Sequence, residues 1–212
     1  MRAWQLTSCF PTAKGWLGGL LAVLVAVSIV KAPAGAQTVP AKATQAKSND
    51  PAVQFMEQVA RDLLAGARAK SPILLSNAVK RYGDVTHIGQ YSLGTYRAKL
   101  PQAHRAIYHT GMVRFIGRYA ASQAPKYPVV KYEIMSPSLI GGSGLMVDSR
   151  ITLRDGTTYD VRWLLAKYGN AYRVRDAMVY GFWMTPFLKT LFETYIGENG
   201  GNVNALVVTL NR

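Results

Sequence analysis

Tyr159-Asp160-Val161-Arg162-Trp163-Leu164-Leu165, then Tyr168-Gly169-Asn170, then Tyr172-Arg173-Val174-Arg175-Asp176-Ala177-Met178-Val179-Tyr180 is one alternating run, a tight turn and a second alternating run. Side chains point to opposite faces at successive strand positions, so each run has an apolar side and a polar side, and the short turn makes the pair antiparallel. On strict alternation, Asp176 shares a face with Val174 and Met178. A carboxylate there is costly unless it has a partner or a chemical task. Gly181 then lets the chain turn, and Phe182, Trp183 and Met184 arrive together, as at the rim of a pocket for an apolar ligand.

Working backwards, Asp155-Gly156 is a hairpin signal, and Leu145, Val147, Ile151 and Leu153 alternate with Asp148, Arg150 and Arg154 across a slight break at Ser149. Val130, Tyr132 and Ile134 alternate with Lys131 and Glu133, and Gly141-Gly142-Ser143-Gly144 reads as a loop or bulge. Further upstream the period changes to that of a helix. Asp50-Pro51 and Ser71-Pro72 are helix starts, Asp84 caps a third helix that breaks near Gly94, and Leu100-Pro101 opens a fourth. Tyr108, Met112, Phe115, Ile116 and Tyr119 form a stripe on that fourth helix. Downstream, helices are expected over Thr185 to Tyr195 and Val203 to Leu210, separated by Gly200-Gly201. The fold class is therefore α+β: a helical N-terminal half and two C-terminal helices packed on a curved antiparallel sheet of about four strands, an arrangement able to enclose a cavity.

The beginning of the chain has a different character. Arg2 and Lys14 precede an apolar run from Gly15 to Val30, and Ala34-Gly35-Ala36 supplies the small residues of a cleavage site, so residues 1–36 read as a secretory signal peptide. The run is shorter than the roughly 20 residues a spanning helix needs. Residues 37–49, rich in Ala, Lys, Thr and Ser, read as a flexible leader, and residues 50–212 as a single domain. The one cysteine, Cys9, lies before the apolar run, so the exported chain has neither a disulfide nor a thiolate metal site. Export places the protein in a periplasm or an equivalent space. A formal net charge of +14 favours anionic partners, and export excludes nucleic acid from them.

Catalytic and metal signatures are weak. His87, His104 and His109 have no carboxylate at a useful spacing, and the last two are five residues apart, which does not stack them on one helix face. Phosphate loop, dinucleotide fingerprint and nucleophile elbow are missing from the sequence, so neither cofactor nor metal is expected. Three readings stay open: a binding protein for an apolar ligand, a small cavity enzyme of the ketosteroid-isomerase type with Asp176 as base, and a module that only docks on membrane complexes. The binding reading draws on an apolar and aromatic set: Tyr96, Met112, Phe115, Tyr119, Met146, Trp163, Met178, Phe182 and Trp183. Six of these, Phe115, Tyr119, Trp163, Met178, Phe182 and Trp183, are expected to line one cavity between the fourth helix and the sheet.

Tyr82-Gly83-Asp84, Gln90-Tyr91-Ser92-Leu93-Gly94-Thr95-Tyr96, Leu100-Pro101-Gln102, the closing strand Tyr172 to Gly181, and Leu191-Phe192 followed by Gly200-Gly201 and Ala205 to Leu210 together resemble the MlaC-type family, also called toluene-tolerance auxiliary proteins. The resemblance implies a periplasmic protein whose sheet and helices, in an NTF2-like arrangement, surround an apolar cavity. It also implies carriage of a phospholipid between an inner-membrane ABC-type transporter and an outer-membrane complex, with no enzymatic activity. In that setting Asp176 is structural, holding backbone N–H groups at a helix start or pairing with an arginine, and Gly181 provides the turn. This chain departs from the family pattern at Tyr180, at Trp183 and at Thr185-Pro186-Phe187. Some members are associated with hopanoid lipids, and the bulkier aromatic rim suits a different ligand of that kind.

Overall fold

The first three helices each start where a side chain takes up free amides. The computed structural model describes residues 49–135, 137–140 and 144–212; the expected signal peptide, nearly all of the leader and the glycine loop at 141–143 lie outside them. Asp50 Oδ1 accepts from the amides of Ala52 and Val53, and with Pro51 in the first turn this starts α1, Pro51–Arg68. Ser71 Oγ accepts from the Leu74 amide to start α2, Pro72–Tyr82, and Asp84 Oδ1 accepts from the His87 amide to start α3, Val85–Ser92. Such caps each contribute about 1 kcal/mol. Two short 3-10 segments, Gly94–Lys99 and Gln102–His104, lead into α4, Arg105–Gln123. Pro101 thus opens a tighter turn, and the α-helix proper begins four residues later than the sequence suggests.

The strands are β1 (Val129–Ile134), β2 (Ser138–Ile140), β3 (Gly144–Leu153), β4 (Thr158–Tyr168), β5 (Ala171–Val179) and β6 (Phe182–Trp183), followed by α5 (Met184–Glu198) and α6 (Val203–Leu210). They form one antiparallel sheet in the order β1-β3-β4-β5-β6, with β2 also paired to β3. Four of the six are the expected strands. The sixth arises because Tyr180 and Gly181 both take positive φ, +51° and +81°, closing a two-residue hairpin that pairs Val179 with Phe182. At Ser149 there is no interruption. Its side chain keeps phase with Val147 and Ile151, and its Oγ accepts the Trp163 indole N–H at 2.9 Å.

The expected alternation does break, in β5. Leu165 pairs with Val174 but Leu164 pairs with Asp176, so Arg175 is a bulge. One extra residue reverses the parity of everything after it. Val174 stands beside Leu165 on the face that packs on α1, whereas Asp176 and Met178 stand beside Leu164 and Arg162 on the other face. The sequence expectation that Val174, Asp176 and Met178 share a face is corrected by this bulge.

Two apolar cores result. One joins Ala52, Met56 and Val59 of α1 and Ala78 and Tyr82 of α2 to Val147 and Leu165 of the sheet. The other is built by helices, with Tyr108 and Met112 of α4, Leu188, Phe192 and Ile196 of α5, and Leu206 and Leu210 of α6. Helix α4 packs mainly on α2, α3 and α6 rather than on strands. Glycines bring it close: a Cβ at Gly117 would lie 2.7 Å from the Pro72 carbonyl oxygen, and one at Gly111 would lie 2.8 Å from Leu210 Cβ. Among the described residues no helix is long and apolar enough to cross a membrane.

Candidate ligand-binding site

The helix-covered face of the sheet carries Ile151 and Leu153 of β3, Tyr159, Val161, Trp163 and Leu165 of β4, and Val174, Ala177 and Val179 of β5. Helix α1 covers one end of it, through Val147, Leu165 and Val174. Toward the Tyr159 and Val179 end, Val161 is buried while Tyr159 and Val179 are partly covered. Helix α4 is anchored to other helices rather than to these strands. The consequence is visible in β5, which runs between β4 and β6 yet has no fully buried residue. Trp163, Ala177 and Val179 are only partly covered. In a chain this apolar, an uncapped stretch on the covered face marks where packing has been left open.

Aromatic pairs stand on α4 and between β4 and the β5–β6 turn. Phe115 makes an edge contact with Phe192 of α5 at 5.8 Å and stacks on Tyr119 at 6.4 Å, and Tyr119 is 42% exposed. Tyr159 stacks on Tyr180 at 5.2 Å. Burial raises the pKa of the Tyr119 hydroxyl, and the neighbouring Tyr127 adds to the effect; burial likewise raises Tyr159, with Tyr180 and Tyr127 adding to it. Tyr127 therefore lies within electrostatic reach of both helix and sheet. Tyr119, Tyr127, Tyr159 and Tyr180 each have an apolar body and a polar tip, suited to a boundary between a greasy interior and water. Tyr180, in the β5–β6 turn, holds a left-handed backbone conformation that bulky residues seldom adopt.

The nine residues expected to bind ligand fall into three groups. Met112 is fully buried in the helical core, and Tyr96 packs against that core. Phe115 and Tyr119 lie on α4, with Phe115 packed against the helical core; Trp163 lies on the helix-covered face of the sheet; and Phe182 pairs with Val179 and is 59% exposed. Met146, Met178 and Trp183 occupy the opposite face of the sheet, the one carrying the Arg162–Asp148 and Arg150–Asp160 ion pairs. The six-residue lining expected from the sequence is thus divided between two faces by register and bulge. Ala177, Val179, Tyr127 and Tyr159 went unnoticed. The first two become visible only once the bulge is known.

Asp176 Oδ1 accepts from the Thr185 amide at 2.9 Å and from the Ala177 amide at 2.8 Å. Trp183, the residue preceding α5, offers no capping side chain, so Asp176 caps that helix from the neighbouring strand. Engaged in this way, it is a poor candidate for a general base. The more connected carboxylate is Asp84, which the sequence marked only as a cap. Asp84 Oδ2 accepts from the Tyr168 hydroxyl at 2.7 Å and sits 3.4 Å from the Arg175 guanidinium, while the Asp84 amide donates to the Val174 carbonyl. The histidines are held structurally: His104 Nδ1 lies 2.7 Å from Asn204 Oδ1, His87 stacks on Tyr91, and His109 packs on Tyr108.

A family model described as MlaC protein matches residues 49–212. Among solved structures, a phospholipid-binding protein from Ralstonia solanacearum, determined in complex with a phospholipid, aligns with a TM-score of 0.57 and 17% identity over 76% of this chain and 94% of that one. The fold is shared. A Campylobacter jejuni chain described as an NTF2-like transpeptidase aligns with a TM-score of 0.40 and 13% identity over 60% of this chain and 98% of that one, too distant to bear on this protein. No curated protein matches the sequence.

Proposed function

The chain belongs to the MlaC family, and from that premise we propose that it is a periplasmic lipid carrier. Residues 1–36 act as the export signal, residues 37–49 as a leader, and residues 50–212 as the working domain. It takes one phospholipid, or a related envelope lipid such as a hopanoid, between an inner-membrane ABC-type transporter and an outer-membrane complex. What supports the reading is the β4–β5 stretch of the helix-covered face, where Trp163, Ala177 and Val179 lie incompletely covered. In the carrier, Trp163, Ala177 and Val179 form the floor, Phe115 and Tyr119 the roof, and the tyrosines the mouth. Each methylene removed from water contributes about 0.8 kcal/mol, so acyl chains hold the ligand and the headgroup stays at the rim.

The test is identification of what the protein carries. Protein purified from its native envelope without detergent is extracted with organic solvent and analysed by mass spectrometry. A lipid at close to one molecule per chain is expected. Folded protein that repeatedly yields no stoichiometric lipid overturns the proposal, and the chemical class recovered separates phospholipid from polycyclic lipid.

A further inference from the structure

A second concavity, of about 720 Å³, lies between α2 and α4. It exists because Gly117 lets α4 close on Pro72 and Ser76, so the side chains flanking that contact stand up as walls. Ile73, Asn77 and Lys80 form one wall at helical spacing; Thr110, Arg114 and Arg118 form the other. Val113, buried, and Val85 form apolar surface within it. Walls of carbon thus carry three permanent cations, and no carboxylate lines the groove.

Some surface cations elsewhere on the protein are matched by carboxylates. Arg81 meets Asp62, Arg150 meets Asp160, Arg162 meets Asp148, Arg175 meets Asp84, and Lys189 meets Glu193. Among the described residues, Lys80, Arg114 and Arg118 take part in no ion pair. Arg118 is fixed in place by donating to the Leu210 carbonyl oxygen at 3.1 Å. Burial and the charge of Arg114 hold its guanidinium below the usual range, the direction that a bound anion would reverse. Like charges gathered over an apolar floor, with one of them held by the fold, make a site complementary to a negatively charged head with a greasy tail.

We propose that the α2–α4 groove binds a single-chain anionic amphiphile, its phosphate or carboxylate head between Arg114 and Arg118 and its alkyl chain along Val113 and Val85. The wall from Ile73 to Lys80 spans roughly 10 Å of helix, room for a short chain rather than for a two-chain lipid. Apolar walls argue against a bare anion, and the cations argue against a neutral alcohol. The site is separate from the β4–β5 stretch, and it stands whether or not that stretch holds a lipid.

Octyl phosphate, below its micelle concentration, is titrated into the purified protein by calorimetry and by amide NMR, with inorganic phosphate and octanol as comparisons. Expected are one-to-one binding at least tenfold tighter than either comparison, and shifts centred on Asn77, Thr110 and Arg114. The double variant Lys80→Gln, Arg114→Gln alters two residues that make no hydrogen bond or ion pair among the described residues, and it is expected to weaken binding at least tenfold without lowering the melting temperature. Arg114→Lys keeps the charge without the forked donor and is expected to lose less. Equal affinity for inorganic phosphate reduces the groove to a simple anion site and overturns the proposal. It also falls if the double variant binds normally, if the shifts centre on Tyr119 and Trp163, or if the protein sediments with anionic vesicles while ignoring monomeric octyl phosphate.

Discussion

Ala177 faces Trp163 across the β4–β5 ladder and is only partly covered, while its neighbour Met178 faces Arg162 on the reverse of the sheet. Adjacent positions therefore test the site against each other. Ala177→Phe adds bulk to the floor and is expected to lower copurifying lipid severalfold, whereas Met178→Trp is expected to leave it unchanged, with circular dichroism confirming both folds. If Met178→Trp alone empties the protein, the ligand lies on the other face. At Asp84, burial by itself would raise the carboxyl pKa, but the hydrogen bonds from Tyr168 and the His87 amide and the charge of Arg175 outweigh it, and the net direction is down. A carboxyl depressed in the folded state contributes stability at every pH above its unfolded value, near 3.9. That contribution disappears as pH falls through the lower folded value. Asp84→Asn is accordingly expected to melt lower than the parent at pH 7 and to approach it below about pH 4, measured as melting temperature against pH.

Helix α4 is held by what it lacks. At Gly117 the α2 backbone occupies the space a side chain would fill, with the Pro72 carbonyl oxygen and the Ser76 amide nitrogen each 2.7 Å from a hypothetical Cβ. These are backbone atoms and cannot rotate aside. Gly117→Ala should therefore separate α2 from α4 and cost about 1–3 kcal/mol, as overpacking does, seen as a lower denaturation midpoint in urea. Gly156, with open space around it, is not a fair comparison because its φ of +87° penalises any side chain. Gly197 has only the Tyr96 hydroxyl nearby, at 3.6 Å, and Gly197→Ala within α5 should be neutral or mildly stabilising. A normal midpoint for Gly117→Ala would show that the helices are not clamped there, and the groove between them would lose its cause.

At the scale of the molecule, a lipid held in the fold would link ligand occupancy to stability. A ligand bound only by the folded state stabilises it by RT ln(1 + [L]/Kd), about 2.7 kcal/mol at a hundredfold excess over Kd. Chromatographic delipidation is expected to lower the melting temperature by several degrees, and re-addition of the extracted lipid to restore it; equal melting with and without lipid would contradict binding in the fold. The sequence by itself determined the helix starts, through Asp50, Ser71 and Asp84, and the antiparallel meander, through the alternation about Gly156 and Gly169. Both depend on residues within a few positions of one another, where capping and strand periodicity act. Only the tertiary structure decided which face each side chain occupies after Arg175, because a bulge is a mismatch between two strands and leaves no mark on either alone. The same holds for the capping of α5 by Asp176 and for the basic groove. Each brings together residues from different elements, and their juxtaposition is set by how closely those elements approach one another.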